Sequence, residues 1–168
     1  MSYSEPPKGA KANRSRRLCL FGLLSLAGCG FSPVYGPGGT AEGLRGRIDV
    51  AAPADEEGFA LVRRLEERLG APEAADLSLV ADIRITEESV GFLPDGEISR
   101  FNVVGDVSWQ ILGAEGGPVL ASGSEREFTS YSATSTTVAT IFAQRDARRR
   151  LMVILADRVV ADLMTRNL

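Results

Sequence analysis

The stretch RFNVVGDVSWQI, residues 100–111, alternates between two kinds of side chain along its whole length. Its apolar or small positions are Phe101, Val103, Gly105, Val107, Trp109 and Ile111, and its polar positions are Arg100, Asn102, Asp106, Ser108 and Gln110. Val104 is the one apolar residue out of phase. A period of two is typical of a β-strand with one covered and one more polar face. We therefore predict a central strand here, with Trp109 in the core.

The residues before this strand predict an antiparallel neighbour. From Leu77 to Thr86 the sequence again alternates, with Leu77, Leu79, Ala81, Ile83 and Ile85 on one face. Between the two stretches lies Pro94-Asp95-Gly96, which has the composition of a turn. The two segments together are typical of a hairpin whose apolar faces lie on the same side.

The residues after the central strand predict a third antiparallel strand. Residues 113–117 have the composition of a hairpin turn, and residues 118–131 resume an alternating pattern. The apolar phase changes between Val119 and Phe128. An extra residue in one strand would produce such a change, so we expect a β-bulge near Gly123.

Two helices flank these strands in the sequence. For the first, Asp55 is a suitable N-cap before Glu56-Glu57, and Gly70 with Pro72 would end the helix. Its predicted buried face comprises Leu61, Val62, Leu65 and Leu69. The second helix is predicted over residues 138–163, with Ser135 or Thr136 as N-cap. Its predicted apolar stripe comprises Val138, Ile141, Phe142, Met152, Leu155, Val159 and Leu163.

A short strand at residues 47–52 completes the element order: strand, helix, three antiparallel strands, helix. This order is typical of an α+β fold. We predict a two-layer sandwich in which two helices pack on one face of a four-stranded mixed, mainly antiparallel sheet. The sequence has no internal repeat, and residues 47–168 are expected to form a single domain.

The first 46 residues have a different composition. Five basic residues lie before the uncharged run Leu18–Gly28, which is too short to span a bilayer. Leu26-Ala27-Gly28-Cys29 resembles the lipobox of bacterial lipoproteins. The resemblance implies that residues 1–28 are a lipoprotein signal peptide and that Cys29 becomes lipid-modified, anchoring the chain to a membrane. Residues 29–46, rich in Gly and Pro, would be a flexible tether.

Composition excludes several classes of function for the mature chain. The formal charge is −3 overall, and residues 1–28 contain five basic and one acidic side chain, which leaves −7 for the remainder. That charge argues against nucleic-acid binding. The chain has no His, its lysines are Lys8 and Lys11, and its cysteines are Cys19 and Cys29. The mature chain therefore lacks the side chains needed for serine–histidine or cysteine–histidine catalysis, for Schiff-base chemistry and for His/Cys metal sites. We expect no catalytic residue, cofactor or metal.

Because the chain after residue 28 has no lysine or histidine, arginine is the cationic side chain that could contact an anionic ligand or partner. The candidates are Arg145, Arg148, Arg149 and Arg150 on the second helix and Arg84, Arg100 and Arg126 on the strands. The helical cluster could bind phosphate or carboxylate groups, or it could be an ordinary solvated face. The strand arginines could line the polar face of the sheet, or they could form cross-strand pairs with Asp82, Asp106 or Glu127.

The stretch CGFSPVYG, residues 29–36, resembles the N-terminal signature of the lipopolysaccharide-assembly lipoprotein family, LptE, in its alphaproteobacterial form. The element order, Ser130-Tyr131-Ser132, FAQRDARRRL and the amphipathic C-terminal helix fit the same family pattern. The resemblance implies a non-enzymatic lipoprotein on the periplasmic face of the outer membrane. It would plug and help assemble the β-barrel LptD, bind lipopolysaccharide and support its insertion into the outer leaflet. No lipopolysaccharide-contacting residue of the family aligns with a position here, so the arginine candidates rest on their chemistry.

Two other functions remain open from the sequence. The chain could be an auxiliary lipoprotein of an ABC-type envelope lipid transporter, which would bind transporter components instead of a barrel. It could also be a lipid-tethered periplasmic hydrolase, which would need a pair of carboxylates in a cleft.

Overall fold

The computed structural model describes residues 43–53, 55–133 and 136–166. Its elements, in chain order, are β1 (Ile48–Val50), α1 (Glu56–Leu69), β2 (Leu77–Phe92), β3 (Ile98–Gly113), β4 (Val119–Ser132) and α2 (Thr137–Leu163), with a 3-10 turn at Ala114–Gly116 between β3 and β4. The predicted signal peptide, Cys29 and most of the tether lie outside the described residues. The described helices include none that is long and apolar enough to cross a membrane.

The strands form one sheet in the order β1-β2-β3-β4. β1 runs parallel to β2, with Ile48–Val50 beside Leu77–Leu79, whereas β2, β3 and β4 are antiparallel. Both helices pack on one face of this sheet, and most described side chains of the other face, which we call the open face, are exposed or half-buried; Val104, at 7%, is an exception. The predicted fold, a two-layer α+β sandwich with a mixed, mainly antiparallel sheet, is confirmed.

The core lies between the sheet and the helices. The odd-numbered residues of β3 point into it, as the alternation predicts, and Trp109 is 1% exposed. α2 approaches β3 closely at Gly105, where a Cβ atom would lie 2.8 Å from Leu155 Cδ1 and 2.9 Å from Leu151 Cδ2. A larger residue at position 105 would therefore push α2 away from the sheet.

The first helix matches its predicted limits. Asp55 caps α1, and its Oδ1 accepts a hydrogen bond from the backbone N–H of Gly58 at 2.7 Å. Gly70 follows the helix with φ of 85°, a conformation that favours glycine. Leu61, Leu65 and Leu69 are buried, as expected.

The β-bulge predicted near Gly123 lies three residues earlier in β4, at Leu120. Gly123 lies in register with Trp109, and the irregularity in the β3–β4 pairing falls between Ile111 and Leu112. Gly123 is needed for space, because a Cβ there would lie 2.6 Å from Cζ2 of Trp109. The extra residue explains the phase change, because Val119 and Phe128, which are 52% and 61% exposed, both lie on the open face of the sheet.

The first part of the predicted α2 stripe is wrong. Val138, Ile141 and Phe142 are 65%, 44% and 64% exposed. Eighteen residues make five turns, so these three residues lie on the same side of α2 as the buried Ala156, Val159 and Val160. They are exposed because the covered part of the helix begins later: residues 136–142 are exposed or at most half-buried on every side. Thr136 is the N-cap of α2, without a side-chain capping bond, and the alternative candidate Ser135 lies outside the described residues.

Candidate functional site

A groove of about 700 Å³ lies between α1 and α2. From α1 it is lined by Glu56, Glu57, Phe59, Ala60, Arg63, Arg64 and Glu67, and from α2 by Gln144, Arg145, Arg148, Arg149 and Val153. The lining thus contains five arginines and three glutamates, an excess of positive charge on a chain that is acidic overall. Phe59 and Val153, which are 63% and 37% exposed, add apolar surface. The groove therefore combines guanidinium groups with an apolar wall.

Arg145 and Arg149 are the arginines of the groove that remain available to bind an anionic ligand. They are four residues apart, so they project from the same face of α2, and both are exposed. Neither forms an ion pair with another residue in the described part of the chain. Guanidinium groups in this arrangement can donate paired hydrogen bonds to phosphate or carboxylate oxygens.

Arg148, between them in sequence, has a structural role. It donates hydrogen bonds to Glu57 of α1 at 3.0 Å and to Glu87 of β2 at 2.7 Å. Glu87 also accepts hydrogen bonds from the Tyr131 hydroxyl at 3.0 Å and from Gln144 at 2.8 Å. We call these five residues the Glu87 cluster. It joins both helices to β2 and β4 at the level of the groove.

The electrostatics of the Glu87 cluster favour a charged carboxylate. Partial burial works to raise the pKa of Glu87, but the hydrogen bonds from Arg148, Gln144 and Tyr131 outweigh it and hold the pKa below its ordinary value. Burial and the hydrogen bond to Glu87 raise the pKa of Tyr131 to about 12. Arg148 therefore faces a permanent negative charge at neutral pH and is bound within the cluster.

A second ion pair fixes the spacing of the two helices. Arg64 of α1 donates two hydrogen bonds, each of 3.0 Å, to the two carboxylate oxygens of Asp157 on α2. Arg64 also donates to Glu67 at 3.2 Å. With the Glu87 cluster, this pair holds α1 and α2 at both ends of the groove.

Arg150 points away from the groove. It pairs with Asp146 one turn earlier at 2.9 Å and donates to the backbone carbonyl of Ser130 at 3.4 Å. Of the predicted helical cluster, Arg145, Arg148 and Arg149 thus line the groove, whereas Arg150 contacts its own helix and β4.

The strand arginines lie apart from the groove, on exposed positions of the sheet. Arg126 pairs across the strands with Asp106 at 3.3 Å, one of the alternatives that the sequence left open. Arg84 lies in register with the same Asp106, and Arg100 is in register with Ser132. Glu127, another predicted partner, instead pairs with Arg158 of α2 at 2.6 Å. The structure therefore does not bring the seven candidate arginines into one site.

The contribution of α1 to the groove was not predicted. Phe59 is the informative residue, because a large apolar side chain on the charged face of an amphipathic helix often marks a contact surface. Within the described residues, no cluster of His, Cys, Asp or Glu is arranged to hold a metal ion.

Three solved structures with a similar fold are described as bacterial lipoproteins. A protein from Caulobacter crescentus CB15 described as a lipoprotein is 24% identical over 77% of this chain and 96% of its own, with a TM-score of 0.61. The rare lipoprotein B of Shewanella oneidensis is 13% identical over 70% of this chain and 92% of its own, with a TM-score of 0.54. A minor lipoprotein of Acinetobacter baumannii is 16% identical over 70% and 88%, with a TM-score of 0.51. At these identities the likeness concerns the fold.

Residues 46–163 match the family model of LptE, described as lipopolysaccharide-assembly. The match covers more than half of the chain, and the chain belongs to this family. No curated protein sequence matches it significantly. Membership assigns the chain to the lipoproteins of lipopolysaccharide assembly, a family that is not enzymatic.

Proposed function

We propose that this chain is an outer-membrane lipoprotein that plugs and helps assemble the lipopolysaccharide-translocating β-barrel LptD. In this role it supports insertion of lipopolysaccharide into the outer leaflet from the periplasmic face, held there by acyl chains on Cys29. Family membership supports this function over an auxiliary role in an ABC-type transporter and over a hydrolase.

We further propose that the α1–α2 groove contacts lipopolysaccharide directly. The observation that carries this proposal is that Arg145 and Arg149 line the same groove as the apolar side chains of Phe59 and Val153. Lipopolysaccharide combines phosphate groups with acyl chains, so an arginine pair beside an apolar wall complements both parts. The formal charge of −7 after residue 28 means that attraction must come from such a local cluster.

The test of the groove is binding of purified chain to immobilised lipopolysaccharide. The double variant Arg145→Ala with Arg149→Ala should weaken binding at least about tenfold, because charge-assisted hydrogen bonds to phosphate are the strongest contacts that the groove can make with lipopolysaccharide. Arg150→Ala is the matched control, because it removes a guanidinium from the same helix but outside the groove. Equal losses in both variants would show non-specific charge attraction, and unchanged binding in the double variant would remove the groove from consideration.

The barrel partnership needs a separate test. An affinity-tagged chain is extracted gently from outer membranes, and the proteins that co-purify are identified. A stoichiometric large β-barrel is the expected result. Transporter subunits in its place would favour the auxiliary lipoprotein function, and a chain that purifies alone would contradict both.

A further inference from the structure

The open face of the sheet is a broad surface that no described element of the chain covers. It comprises the even-numbered positions of β3 and the residues in register with them on β2 and β4. β3 is 16 residues long. Three strands of that length, at about 3.3 Å per residue and about 4.8 Å apart, form a surface of about 50 Å by about 14 Å, or about 700 Å². Each partner in a stable protein interface contributes about 800 Å², so the open face has the size of one such contribution.

Part of the open face bears neutral hydrogen-bonding side chains. Ser108 and Gln110 of β3 lie in register with Ser124 and Ser122 of β4, and all four side chains are exposed. None of these side chains forms a hydrogen bond with another residue in the described part of the chain. Their donors and acceptors are therefore available to a partner.

An exposed aromatic side chain stands beside a depression in the same face. Thr86, Val104 and Phe128 lie in register across β2, β3 and β4. Val104 is 7% exposed, whereas Phe128 is 61% exposed. A cavity of about 390 Å³ adjoins Val104 and Phe128 and is also lined by Glu88, Asn102, Arg126 and Glu127. Aromatic side chains that pack beside such depressions contribute much of the binding energy of protein interfaces, so Phe128 is suited to be an anchor.

The charges of the open face are balanced, unlike those of the groove. Its charged positions on β2, β3 and β4 are three acids and three bases: Asp82, Glu88, Asp106, Arg84, Arg100 and Arg126. Arg126 is held by Asp106, but Arg84 and Glu88 form no ion pair within the residues that the structure describes. A balanced face does not attract a polyanion such as a lipid phosphate cluster. It complements a partner surface that is polar and of mixed charge.

On the basis of the plug function, we propose that the open face docks on the inner wall of the β-barrel, with Phe128 as its anchor. The lumen side of a transmembrane barrel wall is polar, and its side chains project from alternate residues of regular strands. Such a wall offers hydrogen-bonding partners to Ser108, Gln110 and Ser124. An apolar side chain projecting from the wall fills the depression beside Phe128.

This placement gives the two faces of the molecule separate tasks. The groove lies between the helices, on the side of the molecule away from the open face. A chain docked through its sheet therefore keeps Arg145 and Arg149 turned towards the lumen, where lipopolysaccharide can reach them. A chain docked through its helices would cover both arginines with the barrel wall.

Co-purification tests which face docks. An affinity-tagged chain is extracted gently from outer membranes, and the amount of barrel recovered per chain is measured. Phe128→Ser removes the anchor and should lower the recovery of barrel at least about tenfold. Phe142→Ser is the matched control, because Phe142 is 64% exposed and lies on α2, outside the groove. This control should recover as much barrel as the unmodified chain.

A photoreactive residue in place of Ser124 identifies what touches the open face. Ser124→p-benzoylphenylalanine should form an adduct with the barrel on irradiation, and mass spectrometry should place the adduct on a membrane-spanning strand. An adduct with lipopolysaccharide, or with a loop of the barrel, would overturn the assignment of this face. This measurement also decides the matter if Phe128→Ser fails to keep the circular dichroism spectrum of the unmodified chain.

The outcomes separate the docking face from the plug function. Equal recovery of barrel by the unmodified chain and by folded Phe128→Ser would show that the docking face is wrong while the plug function stands. Equal losses in Phe128→Ser and Phe142→Ser would also contradict docking through the sheet. An unmodified chain that recovers no barrel would refute the plug function, and the docking face with it.

Discussion

Glu87→Gln is the most informative single substitution for the stability of the groove. Glu87 accepts hydrogen bonds from Tyr131, Gln144 and Arg148. Glutamine keeps one acceptor oxygen but loses the charge and one acceptor, and hydrogen bonds to charged groups contribute about 1.5–3 kcal/mol each. The Glu87 side chain is 22% exposed, which reduces the effect. We expect the free energy of unfolding at pH 7 to fall by about 2 kcal/mol and the Tm by about 5–10 °C.

The pH dependence of the difference in unfolding free energy between the unmodified chain and Glu87→Gln provides a more specific assay. The pKa of Glu87 in the folded chain lies below its ordinary value of 4.5. The stabilisation by this carboxylate is therefore fully present above pH 4.5 and is lost as the pH falls through the folded-state pKa. The gap in unfolding free energy between the unmodified chain and Glu87→Gln should stay constant from pH 8 to about 5 and narrow below pH 4.5.

Glu97→Gln is the control, because it removes a carboxylate that belongs to no hydrogen-bonded cluster. Glu97 lies at the exposed end of the β2–β3 hairpin, and its side chain has no hydrogen bond within the described residues. Its replacement should change the unfolding free energy by less than about 0.5 kcal/mol. Equal effects of the two substitutions, or a gap for Glu87→Gln that does not change down to pH 3, would refute the role of the cluster.

Three further predictions concern packing and anchoring. Gly123→Ala should lower the unfolding free energy by about 1–3 kcal/mol and alter the fluorescence of Trp109, since the added methyl overlaps the indole ring; an unchanged Tm would contradict this. Leu151→Ala should cost about 2–5 kcal/mol in chemical denaturation, while Val153→Ala, two residues along the same helix, should cost less than about 1 kcal/mol. Cys29→Ala should leave the chain unacylated by mass spectrometry, and normal acylation of that variant would rule out the lipobox interpretation.

The parts of the fold that alternation specifies were predictable from the sequence. The period of two in β3 correctly places Trp109 and Val107 in the core, because one covered face demands that pattern. The limits of α1 follow from local chemistry at Asp55 and Gly70, which act within one turn of the helix. In such segments the local preference and the tertiary packing agree.

The errors come from residues whose environment is set at long range. Phe128 looks like a core residue in sequence, yet its register opposite Val104 puts it on the open face. Ile141 and Phe142 share a side of α2 with the buried Val159 and Val160, but they lie in the first turns of the helix, which are exposed or at most half-buried. A pattern of apolar residues cannot reveal how far along a helix its apolar stripe is covered.

The candidate site was predictable only in part, for the same reason. Arg145, Arg148 and Arg149 stood out as a cluster, but their separation into one bound and two available cations depends on Glu57 and Glu87. Those acids are distant in sequence, on another helix and on a strand. Their charge alone does not indicate which arginine they contact.

The position of α2 in the chain has a consequence for biosynthesis. α2 supplies eight of the buried side chains in the described part of the molecule, and it follows every other element in sequence. As the chain emerges with its N-terminus first, during synthesis or export, the segments of β2, β3 and β4 emerge before the helix that covers them. Val103, Val107 and Ile111 are then open to water and to other nascent chains. A holding chaperone would have its greatest effect in this interval, which ends when Leu163 has emerged.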